Sequence, residues 1–358
     1  MDRKIKVAQY GCGKMSIPTM KYVYDHGGEV VCAFSKTDRV AGKDIGEIMG
    51  TENKGVTIHY STEAEKIMAE TKPDICIVET MALLPDIEDI FLLCAKMGIN
   101  AITTNEEAFF PWNSRYRMTK RIDDLAKENN CTICATGAQD MGWTRIITTV
   151  MGASNKVTKI KGAVIYNSED YGIALAKVHG VGLTKEEFAK EISAPNDIKE
   201  ADRAAVVESE DFIPCYVWNS NGWMVEKLGL TVVSQEQIFT PTTCDSPLYS
   251  DVLQKTIQPG DATGLSAKVI TKTAEGITIE SECIGKVYAP GEEDLITWKL
   301  YGEPDQEVTL RKPDTVGITC ASVVNRIPDV INSEPGYVTT DKMPILEYRF
   351  KPLNEYVE

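Results

Sequence analysis

The chain has 358 residues, with 38 Lys and Arg against 53 Asp and Glu, a formal net charge of −15. At roughly 150 residues per domain, that length points to two domains with enough chain for a core in each. Its 43% hydrophobic and 25% charged residues are the balance of a folded soluble protein, and the acidic charge argues against sequence-independent nucleic-acid or anionic-membrane binding.

The opening MDRKIKVAQYG carries charge but no apolar core segment or cleavage site. No apolar run approaches the roughly 18 residues of a membrane helix, so a cytoplasmic protein is expected. Residues 4–10 (KIKVAQY) read as a first strand, followed by Gly11-Cys12-Gly13-Lys14-Met15-Ser16 and a helix to about Asp25. Residues 29–34, 56–60, 73–78 and 100–104 read as further strands. A capping box at Thr62 and Glu65 predicts a helix start, and helices are expected over 84–97 and 114–129. Strands separated by helices are βαβ units, which close as a parallel doubly wound sheet.

After about Gly137 the pattern changes to period-2 alternation over 157–166, 230–239, 265–273, 277–288 and 295–301, the mark of half-exposed antiparallel strands. A second capping box, Thr184 with Glu187, opens a helix within this region. Helical periodicity returns over 316–330. The expected fold is α/β: a Rossmann-type dinucleotide-binding domain over 1–136, completed by 315–358, and an α+β substrate-binding and dimerisation domain over 137–314 with a mostly antiparallel sheet.

The ten cysteines mostly sit in apolar runs, among them Cys32, Cys76, Cys94 and Cys283, where Cys acts as a small hydrophobe. Cys131 and Cys134 have CxxC spacing but lie in a strand-like segment whose positions i and i+3 face opposite ways. No metal site is expected, and the usage fits a reducing compartment.

GCGKMS is the most informative short motif. After a strand and before a helix, its glycines let backbone N–H groups approach a pyrophosphate at the helix N-terminus. Ser16 replaces the third glycine. Gly11, Cys12, Gly13, Lys14 and Met15 are therefore candidate cofactor residues, with Thr80 beyond the fourth strand. At the end of the second strand, Ser35 stands where NAD-binding chains carry an acid for the ribose 2′-hydroxyl, and Lys36 and Arg39 follow. NADP is favoured on that count, with NAD tolerated.

The fifth strand runs into TTNEEAFFPW, which sets Glu106 and Glu107 among apolar and aromatic residues. The carboxyl ends of the strands face the ligand crevice in this fold, so either acid is placed to act as a general base. In the second region Asp140, Glu169 and Asp170 are candidates for a substrate cation, and Lys177 or His179 for a substrate carboxylate.

GCGKMS, KDIGEI at 43–48, TTNEEAFFPW, TGAQDMGW at 136–143 and VNRIPDVINSEPGYVTTDKMP at 324–344 together resemble the 2,4-diaminopentanoate dehydrogenase family. That family acts in ornithine fermentation and is related to native amine dehydrogenases and, more distantly, to dihydrodipicolinate reductase. The resemblance implies NAD(P)-dependent oxidative deamination at C4 of 2,4-diaminopentanoate to 2-amino-4-oxopentanoate and ammonia. It also implies Glu106 as the catalytic carboxylate, a small-molecule diamino acid as partner, and a homodimer. The alternatives are a dehydrogenase for another amine or diamino acid, or a non-catalytic NADP-binding sensor. A dihydrodipicolinate reductase would want a His cluster that three histidines in the chain do not supply, and a homoserine-type enzyme would want Lys at Glu106.

Overall fold

The computed structural model describes residues 3–81 and 83–358. It divides into two compact units, Met1–Met141 with Thr315–Glu358 and, between them, Gly142–Asp314.

The first unit begins with β1 (Lys6–Tyr10), α1 (Ser16–Asp25), β2 (Glu29–Ser35), β3 (Ile58–Tyr60), α2 (Ala64–Thr71) and β4 (Ile75–Val78). It continues with α3 (Glu88–Lys96), β5 (Asn100–Thr103), α4 (Tyr116–Glu128) and β6 (Thr132–Ala135). Short strands with apolar residues on both faces are what a sheet covered by helices on each side requires. Alternate residues feed two cores. Ala8, Phe34, Cys76 and Phe91 pack on one side, and Val7, Ala33, Ile77 and Met20 on the other. Cys131 and Cys134 belong to these opposite cores, so the CxxC spacing does not bring them to one face. The capping box expected at Thr62 and Glu65 lies two residues earlier, at Tyr60 and Glu63. A short turn over Ser61–Glu63 precedes α2, and Glu63, not Glu65, reaches back to the Tyr60 N–H at 3.2 Å.

The second unit contains β7 (Lys156–Asn167), α5 (Tyr216–Leu228), β8 (Val232–Thr243), a small hairpin of β9 (Leu248–Ser250) and β10 (Lys255–Ile257), β11 (Ala262–Thr273), β12 (Thr278–Lys286), β13 (Leu295–Glu303) and β14 (Gln306–Arg311). Six of these strands form one sheet in the order β14-β13-β7-β12-β11-β8. Only β7 and β12 in that sheet pair parallel, with Lys159 opposite Thr278. The antiparallel expectation therefore holds for the other four pairings. One face buries Trp298, Val164, Ile279 and Val269; the other carries ion pairs such as Lys159 with Glu280 at 2.6 Å. Thr184 caps its helix as expected, accepting from the Glu187 N–H at 3.2 Å while the Glu187 carboxylate takes the Thr184 N–H at 2.9 Å.

The chain then returns to the first unit through α6 (Thr315–Ile331) and β15 (Gly336–Tyr337). The finished sheet is parallel, in the order β15-β6-β5-β4-β1-β2-β3. Its strand order reverses between β1 and β4, the switch point at which doubly wound sheets open a ligand crevice. No helix among the described residues is long and apolar enough to cross a membrane.

Candidate active site

The glycine loop sits at that switch point. Gly11 leaves β1 with φ +97°, and a Cβ there would lie 2.4 Å from the Glu79 carbonyl oxygen, so no other residue fits without moving the backbone. Around Gly13 the space is open, with no atom within 4 Å of an added Cβ. Buried Ser16 turns its hydroxyl back onto the Gly13 carbonyl at 2.8 Å, which fixes the loop and leaves the first turn of α1 without a side-chain cap. A helix start without a side-chain cap, next to an unobstructed glycine, fits a dinucleotide pyrophosphate.

A cavity of about 180 Å³ opens here, and Gly11, Cys12, Gly13, Ser35, Lys36, Arg39 and Thr80 all line it. Lys14 and Met15 lie in the loop but do not line the cavity. Ser35 is buried at the end of β2, where its hydroxyl accepts the Thr37 N–H at 3.1 Å and shapes the turn. Lys36 and Arg39 are exposed beyond it. Asp38, in the same turn, accepts a hydrogen bond from the Tyr60 hydroxyl at 3.0 Å. The reading of the sequence missed Glu79, which also lines the cavity and is 8% exposed. Burial pushes its carboxyl up to about 7, against hydrogen bonds from Thr19 and Gln9. The signal was present: a lone acid ends the apolar strand ICIV on the strand next to the glycine loop.

At the end of β5 the two neighbouring acids differ. Glu107 is 3% exposed, pairs with Arg115 Nε at 2.9 Å and accepts the Leu84 N–H at 2.8 Å. Burial raises its carboxyl above the ordinary range, while Arg115 pulls it down. Glu106 is half-buried and opens the short turn Glu107–Phe109. The turn is pinned by Asn105, whose side-chain oxygen accepts the Ala108 N–H at 3.0 Å.

The expected substrate residues fare differently. Asp140 is fully buried and meets Arg326 Nε at 2.9 Å and the Thr136 hydroxyl at 3.2 Å; Arg326 in turn holds Asp329 at 2.9 Å, and Arg349 holds Asp329 at 2.6 Å. The Asp140 carboxylate is thus paired with the Arg326 guanidinium inside the fold. His179 is 3% exposed. Its Nε2 lies 2.6 Å from the Tyr166 hydroxyl and its Nδ1 2.9 Å from the Leu175 carbonyl. Burial lowers its pKa to about 4, which favours the neutral imidazole at pH 7. Gly285 completes the pair, since a Cβ there would stand 2.5 Å from His179 Nε2. Glu169 ties the turn after β7 to the β9–β10 hairpin, accepting from the Ser250 hydroxyl at 2.6 Å and the Val252 N–H at 3.2 Å. Asp170 and Lys177 are exposed.

Three comparisons bear on this geometry. The C-terminal domain of the 2,4-diaminopentanoate dehydrogenase family matches residues 143–356. A 2,4-diaminopentanoate dehydrogenase of Acetoanaerobium sticklandii is 25% identical over 287 residues, covering 78% of this chain and 76% of that protein. The solved structure of an amine dehydrogenase from Mycobacterium smegmatis superposes with a TM-score of 0.85 at 31% identity, covering 98% of this chain and 99% of that one.

Proposed function

The chain belongs to the 2,4-diaminopentanoate dehydrogenase family and is an amine or amino-acid dehydrogenase, and from that premise we propose that it removes the C4 amino group of 2,4-diaminopentanoate oxidatively. The products are 2-amino-4-oxopentanoate and ammonia. The cofactor is NAD(P), with NADP favoured. Gly11, Gly13 and the first turn of α1 would hold its pyrophosphate, and Ser35, Lys36 and Arg39 the adenosine end. When bound, the nicotinamide accepts the hydride that leaves C4.

Glu106 does the acid–base work in this reading. An ammonium has no lone pair to support the developing C=N bond, so a base must first take its proton. The same carboxyl then orients water toward the iminium carbon, and collapse of the carbinolamine releases ammonia. The observation that supports the assignment is the half-exposed place of Glu106 at the end of β5, beside Glu107, which is buried against Arg115 and the Leu84 N–H.

The test is reduction of NADP and NAD with 2,4-diaminopentanoate beside a panel of monoamines and other diamino acids. Preference for 2,4-diaminopentanoate by kcat/KM is the expected result. The near full-length likeness to an amine dehydrogenase makes a simple amine the second reading, and higher kcat/KM on monoamines would select it.

A further inference from the structure

Glu79 directly follows β4 at the switch point, and the proposed reaction does not use it. Two neutral groups hold its carboxyl. Gln9 Nε2 on β1 donates to Oε2 at 2.9 Å, and Thr19 Oγ1 on α1 lies 2.6 Å from Oε1. The same Thr19 hydroxyl stands 3.1 Å from the Met15 carbonyl, the residue that enters α1 from the glycine loop. A hydroxyl has one proton and cannot donate to both partners. If Glu79 is neutral, its own proton fills the contact with Thr19, and Thr19 passes its proton on to Met15. If Glu79 is ionised, Thr19 must turn to the carboxylate, and the Met15 carbonyl loses that bond. Gln9 serves either form, since its two amide protons go to Glu79 and to the Gly11 carbonyl at 3.0 Å.

We propose that Glu79 is a proton-linked positioning residue for the dinucleotide: its neutral form braces the glycine loop, and binding of the cofactor pyrophosphate draws a proton onto it. This rests on reading the loop as the NAD(P) site. Glu79, Gly11 and Gly13 line one cavity, so a carboxylate there would oppose the two negative charges of a pyrophosphate with little water to screen them. Burial brings the acid to about 7, so the free protein holds both forms near neutrality. The other groups facing the cavity do not duplicate this. Burial pushes the Cys12 thiol of the loop up to about 12, and it likewise raises the Tyr10 phenol of β1. Thr19 of α1, which touches the carboxyl from outside the cavity lining, is neutral, and Lys36 and Arg39 after β2 are exposed cations.

The test is calorimetric titration of the full-length protein with NAD⁺, which has no group titrating near neutrality. Buffers of different ionisation enthalpy then count the protons taken up. The wild type is expected to take up part of a proton per NAD⁺ bound above neutral pH, with Kd rising toward about tenfold per pH unit, the limit for one linked proton. Glu79→Gln can donate to Thr19 and still accept from Gln9, and it should bind NAD⁺ with no proton uptake and a flat pH profile. The wild-type count needs no variant: NAD⁺ binding without proton uptake overturns the proposal alone, as does undiminished uptake in Glu79→Gln. Failure to bind NAD⁺ or NADP⁺ at any pH overturns the cofactor reading and this proposal with it.

Discussion

Asp140 and Asp329 lie buried with Arg326 and Arg349 beside them, whereas Glu79, buried to a similar degree, has only an amide and a hydroxyl. Both places are in the same unit. In the first, two negative and two positive side chains cancel, and the group pins the end of β6, α6 and the C-terminal tail to one another. At the mouth of the sheet no cation among the described residues neutralises Glu79, and Glu106 keeps contact with solvent. The difference teaches how to read an acid in this fold. A carboxylate tied to arginine is committed to structure, because releasing it would strand two charges. A carboxyl held only by neutral donors, or left half-exposed, can change protonation state at modest cost, and proton transfer requires that freedom.

The largest expected effect tests the half-exposed acid at the end of β5. Glu106→Gln keeps the shape and removes the base, so kcat should fall about 10²–10⁴-fold while NADP binding survives, with partial recovery at high pH where free amine is present. Near-normal turnover in Glu106→Gln, measured beside Glu107→Gln, would sink the assignment. The paired side is tested by Arg326→Met. It leaves Asp140 buried without its cation and should cost about 3–5 kcal/mol in denaturant unfolding. A loss below about 1 kcal/mol would mean that the network is not what holds α6.

This contrast also marks what the sequence could reveal. Strand–helix alternation, the glycine loop and the Thr184 capping box are local patterns, and the fold follows from them. TGAQD and RIPDVIN were conspicuous as strings, but the pairing of Asp140 with Arg326 joins residues 186 apart, and no local period carries that. The parallel pairing of β7 with β12 was hidden for the same reason, since alternation gives a strand's faces and not its neighbour's direction. The burial of Asp140 and His179 is equally invisible in the sequence, because the partners that enclose them come from elsewhere in the fold. Nor does the sequence show that Glu107 is buried against Arg115, a contact that the turn after β5 decides.

A smaller effect is expected in the stability of the free protein. The folded-state value for Glu79 lies above that of an unfolded glutamate, so the folded form holds this proton more tightly. Its contribution is complete below the ordinary value of about 4.5 and is lost as pH rises through about 7, on the order of 3 kcal/mol in all. Glu79→Gln should remove that part of the pH dependence and gain on the wild type above neutrality. Parallel wild-type and variant unfolding curves from pH 5 to 8 would show that Glu79 ionises without cost where it sits.

The smallest effect expected is in cofactor choice. Ser35 ends β2 at the cavity wall, and its hydroxyl accepts the Thr37 N–H that closes the turn. An aspartate can accept the same N–H, so Ser35→Asp should preserve the turn while adding a negative charge where the adenosine ribose is proposed to lie. That charge would repel a 2′-phosphate and accept from a 2′-hydroxyl, which are opposite effects on the two cofactors. Asp38 does not already supply it, because its carboxylate is turned to the Tyr60 hydroxyl. The ratio of NADP⁺ to NAD⁺ affinity should fall about tenfold, close to 1.4 kcal/mol, and the fall should shrink as salt screens exposed Lys36 and Arg39. Calorimetric Kd values for both cofactors, at two ionic strengths, measure this directly. If Ser35→Asp weakens both cofactors equally, the substitution has disturbed the turn and the ribose lies elsewhere; if it changes neither, Ser35 does not face the cofactor.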